Sequence, residues 1–274
     1  MNPDRTGRSW PVFVFLLLLV ATAQARTPLP AVSIVIDDMG KRLEPGERVL
    51  ALPSGVACAF LPAARYTETL AERAHADGRE VMLHLPMQSV DGRRLDRGAV
   101  TLDMTERQFD DTVRADLARV PYASGINNHM GSLLTRHPGH MAWLMKFMRT
   151  RGNLFFVDSR TTAATVAYQL ARENGIPATE RRVFLDNQQD EGDIAFQFRR
   201  LLRLARKEGS ALAIGHPHPA TLSFLERALP RLGREGVRLV PVRTLIELQQ
   251  EDRKTWQAYW SPSPRAARNS KPSL

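Results

Sequence analysis

Short apolar runs rich in β-branched residues recur along the chain, at 31–36, 56–60, 80–83, 123–126, 154–157, 182–185, 211–214 and 237–240. Between them, apolar residues fall three and four apart over 105–119, 140–151, 161–174, 194–207 and 220–234. The first pattern predicts buried strands and the second amphipathic helices. Gly78, Gly152, Gly175, Gly209 and Gly236 stand where helices should stop before the next strand, as left-handed C-caps do. Strand, helix, glycine, strand is the signature of βαβ units on a parallel sheet. Seven or eight such units predict an α/β fold, a closed or nearly closed (β/α) barrel rather than an open doubly wound sheet. No glycine-rich nucleotide fingerprint or Walker A loop follows a strand, which lowers the claim of nucleotide-binding folds.

The two ends break this pattern. Arg5 and Arg8 precede an uncharged run from Trp10 to Ala21, and Ala23-Gln24-Ala25 follows as a small-x-small cleavage pattern. The apolar run is short for a membrane span, so residues 1–25 read as a secretory signal peptide, with an uncleaved anchor as the alternative. Once cleaved, such a segment leaves no stable membrane insertion and a periplasmic or secreted bacterial protein. Residues 251–274 hold three prolines and no apolar periodicity, and read as a basic, flexible C-terminal tail. Trp256, Tyr259 and Trp260 are the tail's only means of packing back. That leaves one barrel-sized domain over 26–250.

Composition then narrows the chemistry. The 274 residues carry a formal charge of +9, with 43% hydrophobic and 24% charged residues, which excludes wholesale disorder and a multi-span membrane protein. Residues 1–25 hold two arginines against one aspartate, and 251–274 hold five Lys/Arg against two Asp/Glu. Four of the nine excess charges therefore lie outside the barrel, and no basic patch interleaved with aromatics remains to bind nucleic acid. The single cysteine, Cys58, lies in an apolar strand pattern and reads as a buried small hydrophobe. Any metal site must then use His and carboxylates.

Such residues stand at the strand ends. The runs lead into Asp37-Asp38, His84, Asn127-Asn128-His129, Asp158-Ser159-Arg160, Asp186-Asn187 and His216-Pro217-His218, spaced 28 to 46 residues apart. In a barrel all strand C-termini open on one mouth, so these side chains should converge. Asp38, His84 and His129 supply two imidazoles and a carboxylate, a donor set for zinc or a similar divalent ion with positions left for water and substrate. Asp37 and Asp38 can divide the labour, one binding metal while the other takes a proton from water, and His216 or His218 would protonate a leaving amine or alcohol. Metal-assisted hydrolysis is the chemistry such a set suits best. His75, His137 and His140 read as structural or surface residues, and Met141, Met145 and Met148 as one helix's core stripe.

The blocks Ile36-Asp37-Asp38-Met39-Gly40, Leu83-His84-Leu85-Pro86-Met87, Asn127-Asn128-His129-Met130-Gly131-Ser132, Asp158-Ser159-Arg160-Thr161, Phe184-Leu185-Asp186-Asn187 and Ile214-Gly215-His216-Pro217-His218 follow in this order. Together they resemble the divergent polysaccharide deacetylase family, a bacterial branch of the NodB-like carbohydrate esterases, over roughly 30–250. The resemblance implies a distorted (β/α) barrel, a divalent metal, most often zinc, and hydrolysis of N-acetyl groups on a glycan. It gives Asp37 the role of base, Asp38 that of metal ligand, and His216 or His218 that of acid. The true deacetylases take both metal imidazoles from one His-x-x-x-His segment, whereas Leu133 stands four residues after His129. His84 is the replacement, with His216 or His218 in reserve, and Asp158 with Arg160 would supply the pair that orients the base. Arg119-Val120-Pro121-Tyr122 imitates the deacetylases' Arg-x-Pro-Tyr motif but falls out of order. Two classes of function follow: a metal-dependent deacetylase of a cell-envelope or extracellular glycan, or a degenerate barrel that binds carbohydrate or assists envelope assembly.

Overall fold

The structure, a computed structural model, describes residues 29–260; the expected signal segment and residues 261–274 lie outside the described residues. Nine strands form one sheet: β1 (Ala31–Met39), β2 (Val56–Phe60), β3 (Val81–Met87), β4 (Ala123–Met130), β5 (Phe155–Asp158), β6 (Ala178–Glu180), β7 (Val183–Phe184), β8 (Ser210–Gly215) and β9 (Arg238–Leu239). The helices are α1 (Leu43–Ala51), α2 (Thr67–Ala76), α3 (Glu106–Arg119), α4 (Pro138–Arg151), α5 (Ala167–Glu173), α6 (Glu191–Glu208), α7 (Pro219–Ala228) and α8 (Val242–Trp260). All strand pairings are parallel. The sheet path runs β6-β5-β4-β3-β2-β1-β8-β7, with β9 added beside β1.

This path has to curl into a barrel. β6 and β7 stand at its two ends, yet only Arg181 and Arg182 separate them in the chain. Three backbone steps reach at most about 11 Å, so the two edges must meet. Arg181 N–H donates to Asp158 O on one edge and Arg182 N–H to Leu212 O on the other, and the chain crosses the seam there. The barrel is distorted because this seam is a crossing rather than a hydrogen-bonded ladder.

Alternation along the strands divides the side chains between two apolar layers. Val32, Ile34, Ile36, Cys58, Phe60, Leu83, Ile126 and Phe156 face outward into the helical layer. Ala31, Val35, Ala57, Ala59, Met82, Phe155, Val157, Leu212 and Ile214 fill the interior together with Leu245 and Ile246 of α8, which closes the barrel at the strands' N-terminal ends. Glu80 caps that helix, accepting hydrogen bonds from the backbone N–H groups of Val242 and Arg243. At Gly125 a Cβ would come within 2.4 Å of the Phe155 ring, so glycine leaves room for an interior phenylalanine. Burial pushes the Cys58 thiol up to about 12, which leaves it an inert core group.

Several boundaries differ from the sequence pattern. The run at 182–185 is not one full strand: the short β6 and β7 straddle the seam, and Pro177 hides the apolar signal of the former. The pattern at 237–240 yields only the two-residue β9 beside the lower end of β1. The helix expected over 161–174 begins at Ala167, and α7 gives way to a 3-10 turn over Leu229–Glu235. Residues 251–260, expected in the tail, continue α8, and Trp256 does not pack back but is 66% exposed. Among the described residues no helix is long and apolar enough to cross a membrane.

Candidate metal centre and acid–base site

The interior alternation continues past the apolar layers to the C-terminal rim. In β1 the sequence of inward residues is Ala31, Ser33, Val35, Asp37; in β3 it is Met82, His84; in β4 it is Gly125, Asn127, His129. The uppermost of these, Asp37, His84 and His129, line a cavity of about 440 Å³ with Ser159 and His216. Backbone strain gathers around it. Asp38, Met130 and Arg160 have φ of 57°, 55° and 47°, left-handed values that cost a non-glycine residue about 1–2 kcal/mol each. Asp38 in that conformation turns its carboxylate back over the mouth beside Asp37.

Asp38, His84 and His129 come together as one donor set. His84 Nε2 lies 3.5 Å from Asp38 Oδ1 and 3.0 Å from His129 Nδ1, and the third edge, His129 Nδ1 to Asp38 Oδ1, is 3.1 Å. Zinc bonds of 2.0–2.1 Å in a tetrahedron place neighbouring donors about 3.4 Å apart, close to these edges. The outer hydrogen bonds fix both tautomers. His84 Nδ1 meets Asn127 Oδ1 at 2.9 Å, while the Asn127 amide nitrogen donates to Asp37 Oδ1 at 2.8 Å. Asn127 Oδ1 therefore accepts from His84, whose Nε2 lone pair points at the set. His129 Nε2 donates to Asp96 Oδ2 at 3.0 Å, which turns the Nδ1 lone pair to the same place. Asp38 Oδ1 is buried there without a hydrogen bond. Three electron-pair donors facing one another call for a cation, and these residues fit a divalent metal ion.

Electrostatics separates the two neighbouring aspartates. Burial holds Asp37 above the usual carboxylate range, against the pull of His84 and His216. Burial also opposes charge on Asp38, but the His129 and His84 rings on its carboxylate outweigh it and hold it well below that range. His84 would be driven neutral by burial, yet Asp37 and Asp38 raise it. A proton or a cation is stabilised at the same spot.

Beside Asp37, on β8's end, stands a second couple. His216 Nδ1 meets Asp186 Oδ1 at 2.9 Å, and Asp186 Oδ2 accepts from His216 N–H and the Thr221 hydroxyl at 2.7 and 2.8 Å. Burial would lower the His216 pKa, but Asp186 and Asp37 raise it, and Asp186 is held below its ordinary value. Asp186 and Asp37 thus favour the protonated form of the His216 ring. Asp186, His216 and His218 also form a cluster of potential metal donors. Both oxygens of Asp186 are already hydrogen-bonded, however, and Gln189 rather than the carboxylate meets the His218 ring, at 3.3 Å. His218 stands at the N-cap position of α7 and lines an adjoining cleft with Asp38, Lys41 and His216, whereas of the two expected acids only His216 also lines the cavity beside Asp37.

Asp158 and Arg160 do not orient the base. Asp158 follows Phe156 on the outward face, where its carboxylate accepts from Arg160 N–H, the Thr165 hydroxyl and Tyr168 N–H at the start of α5. Arg160 pairs with Glu180 at 2.6 Å. Arg181 lines the cavity instead, alongside Arg93, and its Nε and Nη2 donate to the carbonyls of Ser159 and Arg160 at 2.5 and 2.7 Å. Sequence reasoning missed Arg181, Asp96 and the bridging role of Asn127. Alternation could have found Asn127, since it shares the parity of His129; nothing local marks the other two. Arg119–Tyr122 lie ahead of β4, at the opposite end of the barrel. His75 stacks on Tyr122, and His137 faces His140, both away from the cavity. Met141, Met145 and Met148 are core.

Comparison with known proteins places this geometry. Residues 34–246 match the sequence model of the family described as divergent polysaccharide deacetylase. The uncharacterized protein YibQ of Escherichia coli is 40% identical over 223 residues, covering 81% of this chain and 69% of that protein. The crystal structure of an uncharacterized Agrobacterium tumefaciens protein superposes with a TM-score of 0.76 at 19% identity, over 81% of this chain and 91% of that one. The peptidoglycan deacetylase PdaC of Bacillus subtilis shares the fold with a TM-score of 0.52 at 11% identity, over 85% of this chain and 98% of that one. On the family match across the barrel and a relative of that identity, the chain belongs to the divergent polysaccharide deacetylase family.

Proposed function

We propose that the protein is a metal-dependent hydrolase that removes acetyl groups from an N-acetylated glycan of the cell envelope or extracellular matrix, with zinc as the metal. The observation that carries this reading is the convergence of three donors, Asp38, His84 and His129, beside a cavity that also holds a buried carboxylate and an imidazole, both with raised pKa. Asp38, His84 and His129 would hold the ion. When bound, it supplies Lewis-acid polarisation of the acetyl carbonyl and acidifies water. Asp37, kept in place by Asn127, takes the proton of the attacking water. His216, whose protonated form the Asp186 carboxylate favours, gives its proton to the leaving amine. The apolar segment at 10–21 supports export to the periplasm or beyond.

Acetate release by the zinc-loaded protein from a panel of N-acetylated glycans tests the reading. Turnover should fall at least about 100-fold in Asp37→Asn, the usual contribution of a general base. No release by the loaded wild type from any glycan would overturn it and leave a glycan-binding or envelope-assembly role.

A further inference from the structure

A cleft larger than the catalytic cavity lies next to it. It measures about 720 Å³ and lies between the barrel seam and α6, sharing Arg181, Phe184 and Asn187 with the catalytic cavity. Its charges are one-sided: Arg160, Arg181, Arg182 and Arg200 against Glu180. Arg160 is paired with Glu180, and Arg182 with Glu208 behind it at 3.0 Å. Among the described residues neither Arg181 nor Arg200 has a carboxylate within ion-pair distance. Arg181 is also held rigid, by two backbone carbonyls and by the Phe184 ring, 4.8 Å from its guanidinium carbon. Burial lowers its pKa, against the pull of Asp37 and Asp158. The fold keeps a fixed, half-buried cation next to an exposed one on the wall of a groove that opens onto the reacting centre. Guanidinium groups so arranged suit the bidentate geometry of a carboxylate or phosphate.

We propose that this cleft is a subsite for an anionic substituent of the glycan, a carboxylate or phosphate borne on a sugar next to the one that enters the catalytic cavity. The proposal rests on the deacetylase reading for its choice of a glycan but not on turnover. Arg181 spans the two cavities, and Arg200 on α6 forms the outer wall. An acid-bearing chain would thereby be drawn in and fixed in register over Asp37 and His216, whereas a neutral chain would meet only the catalytic cavity.

Binding separates the two questions. Full-length Asp37→Asn protein is titrated calorimetrically with three probes: a neutral N-acetylated oligosaccharide, an oligosaccharide of the same length bearing a lactyl or uronate carboxylate, and inorganic phosphate. The acid-bearing chain should bind at least about ten-fold tighter than the neutral one, and the advantage should shrink as salt is raised. Arg200→Glu should remove that advantage, while Arg199→Glu, one residue along on the same exposed helix and outside the cleft, should leave it within about two-fold. Equal affinity for acid-bearing and neutral chains would overturn the proposal, as would equal losses in the two variants. Inorganic phosphate binding tighter than the acid-bearing chain would also overturn it, marking a free-anion site. If wild type releases no acetate but the acid-bearing preference is present, only the deacetylase reading fails.

Discussion

Asp37 and Asp38 are adjacent in the chain and opposite in behaviour. One points inward with its strand and is bonded by Asn127; the other occupies a left-handed turn and meets two imidazoles. The same division governs pH dependence. The proposed mechanism requires Asp37 ionised and His216 protonated, so on it kcat/KM should rise through a raised carboxylate pKa and fall through a raised imidazole pKa. Asp186→Asn removes the charge that opposes burial at His216. The ring then loses its proton at lower pH, and the alkaline limb should move down by about one pH unit. An unmoved limb in the variant's pH profile would exclude His216 as the acid. Asp96→Ala leaves the three donors in place but frees His129 to rotate. Zinc affinity, read by competition with a chromophoric chelator, should weaken about 10–100-fold with the fold intact. At this scale the sequence showed which residue types could do chemistry, but Asp158 and Ser159 illustrate its limit. Both sit at a strand end, and only the strand's phase decides that Ser159 enters the cavity while Asp158 caps a helix.

At the scale of elements, the strands act as rulers. Period-two alternation carries an apolar interior up to a polar rim, so the inward residue beyond the last interior hydrophobe reaches the mouth. This was legible: the runs at 31–36, 56–60, 123–126 and 211–214 are strands, and Gly78, Gly152, Gly175, Gly209 and Gly236 all have positive φ. Gly125 shows what holds the ruler straight. Gly125→Ala drives a methyl group toward the Phe155 ring and should cost about 1–3 kcal/mol in urea unfolding, with part of the loss recovered by pairing it with Phe155→Leu. The connection between β3 and α3 was not legible. It folds back through Gln88 N–H to Val100 O and Val100 N–H to Pro86 O, and so carries Asp96 to His129. α8 likewise runs past residue 250 because its Leu245 and Ile246 plug the barrel and Glu80 caps its start, although residues 251–260 lack an apolar stripe of their own.

For the whole molecule, the donor set joins three strands, β1, β3 and β4, so a bound ion should stabilise the folded chain against the unfolded one. At about 100-fold excess over its dissociation constant the ion adds about 2.7 kcal/mol, which for a barrel of this size raises Tm by about 5–10 °C. Differential scanning fluorimetry should show that rise with zinc in the wild type and lose it in Asp38→Ala; no shift in the wild type would remove the metal centre from the reading. The amino-acid sequence by itself determined the α/β class, the barrel-length repeat, and the strand ends that carry Asp37, Asp38, His84, His129, Asp186 and His216, because alternation and helical spacing are local properties of a chain. Only the tertiary structure decided that His84 rather than a late histidine meets His129, that His216 and not His218 enters the cavity, and that Arg181 replaces Arg160 beside it. Those choices follow from closing the sheet at Arg181-Arg182, which fixes the phase of each strand against every other and brings together residues that no local pattern relates.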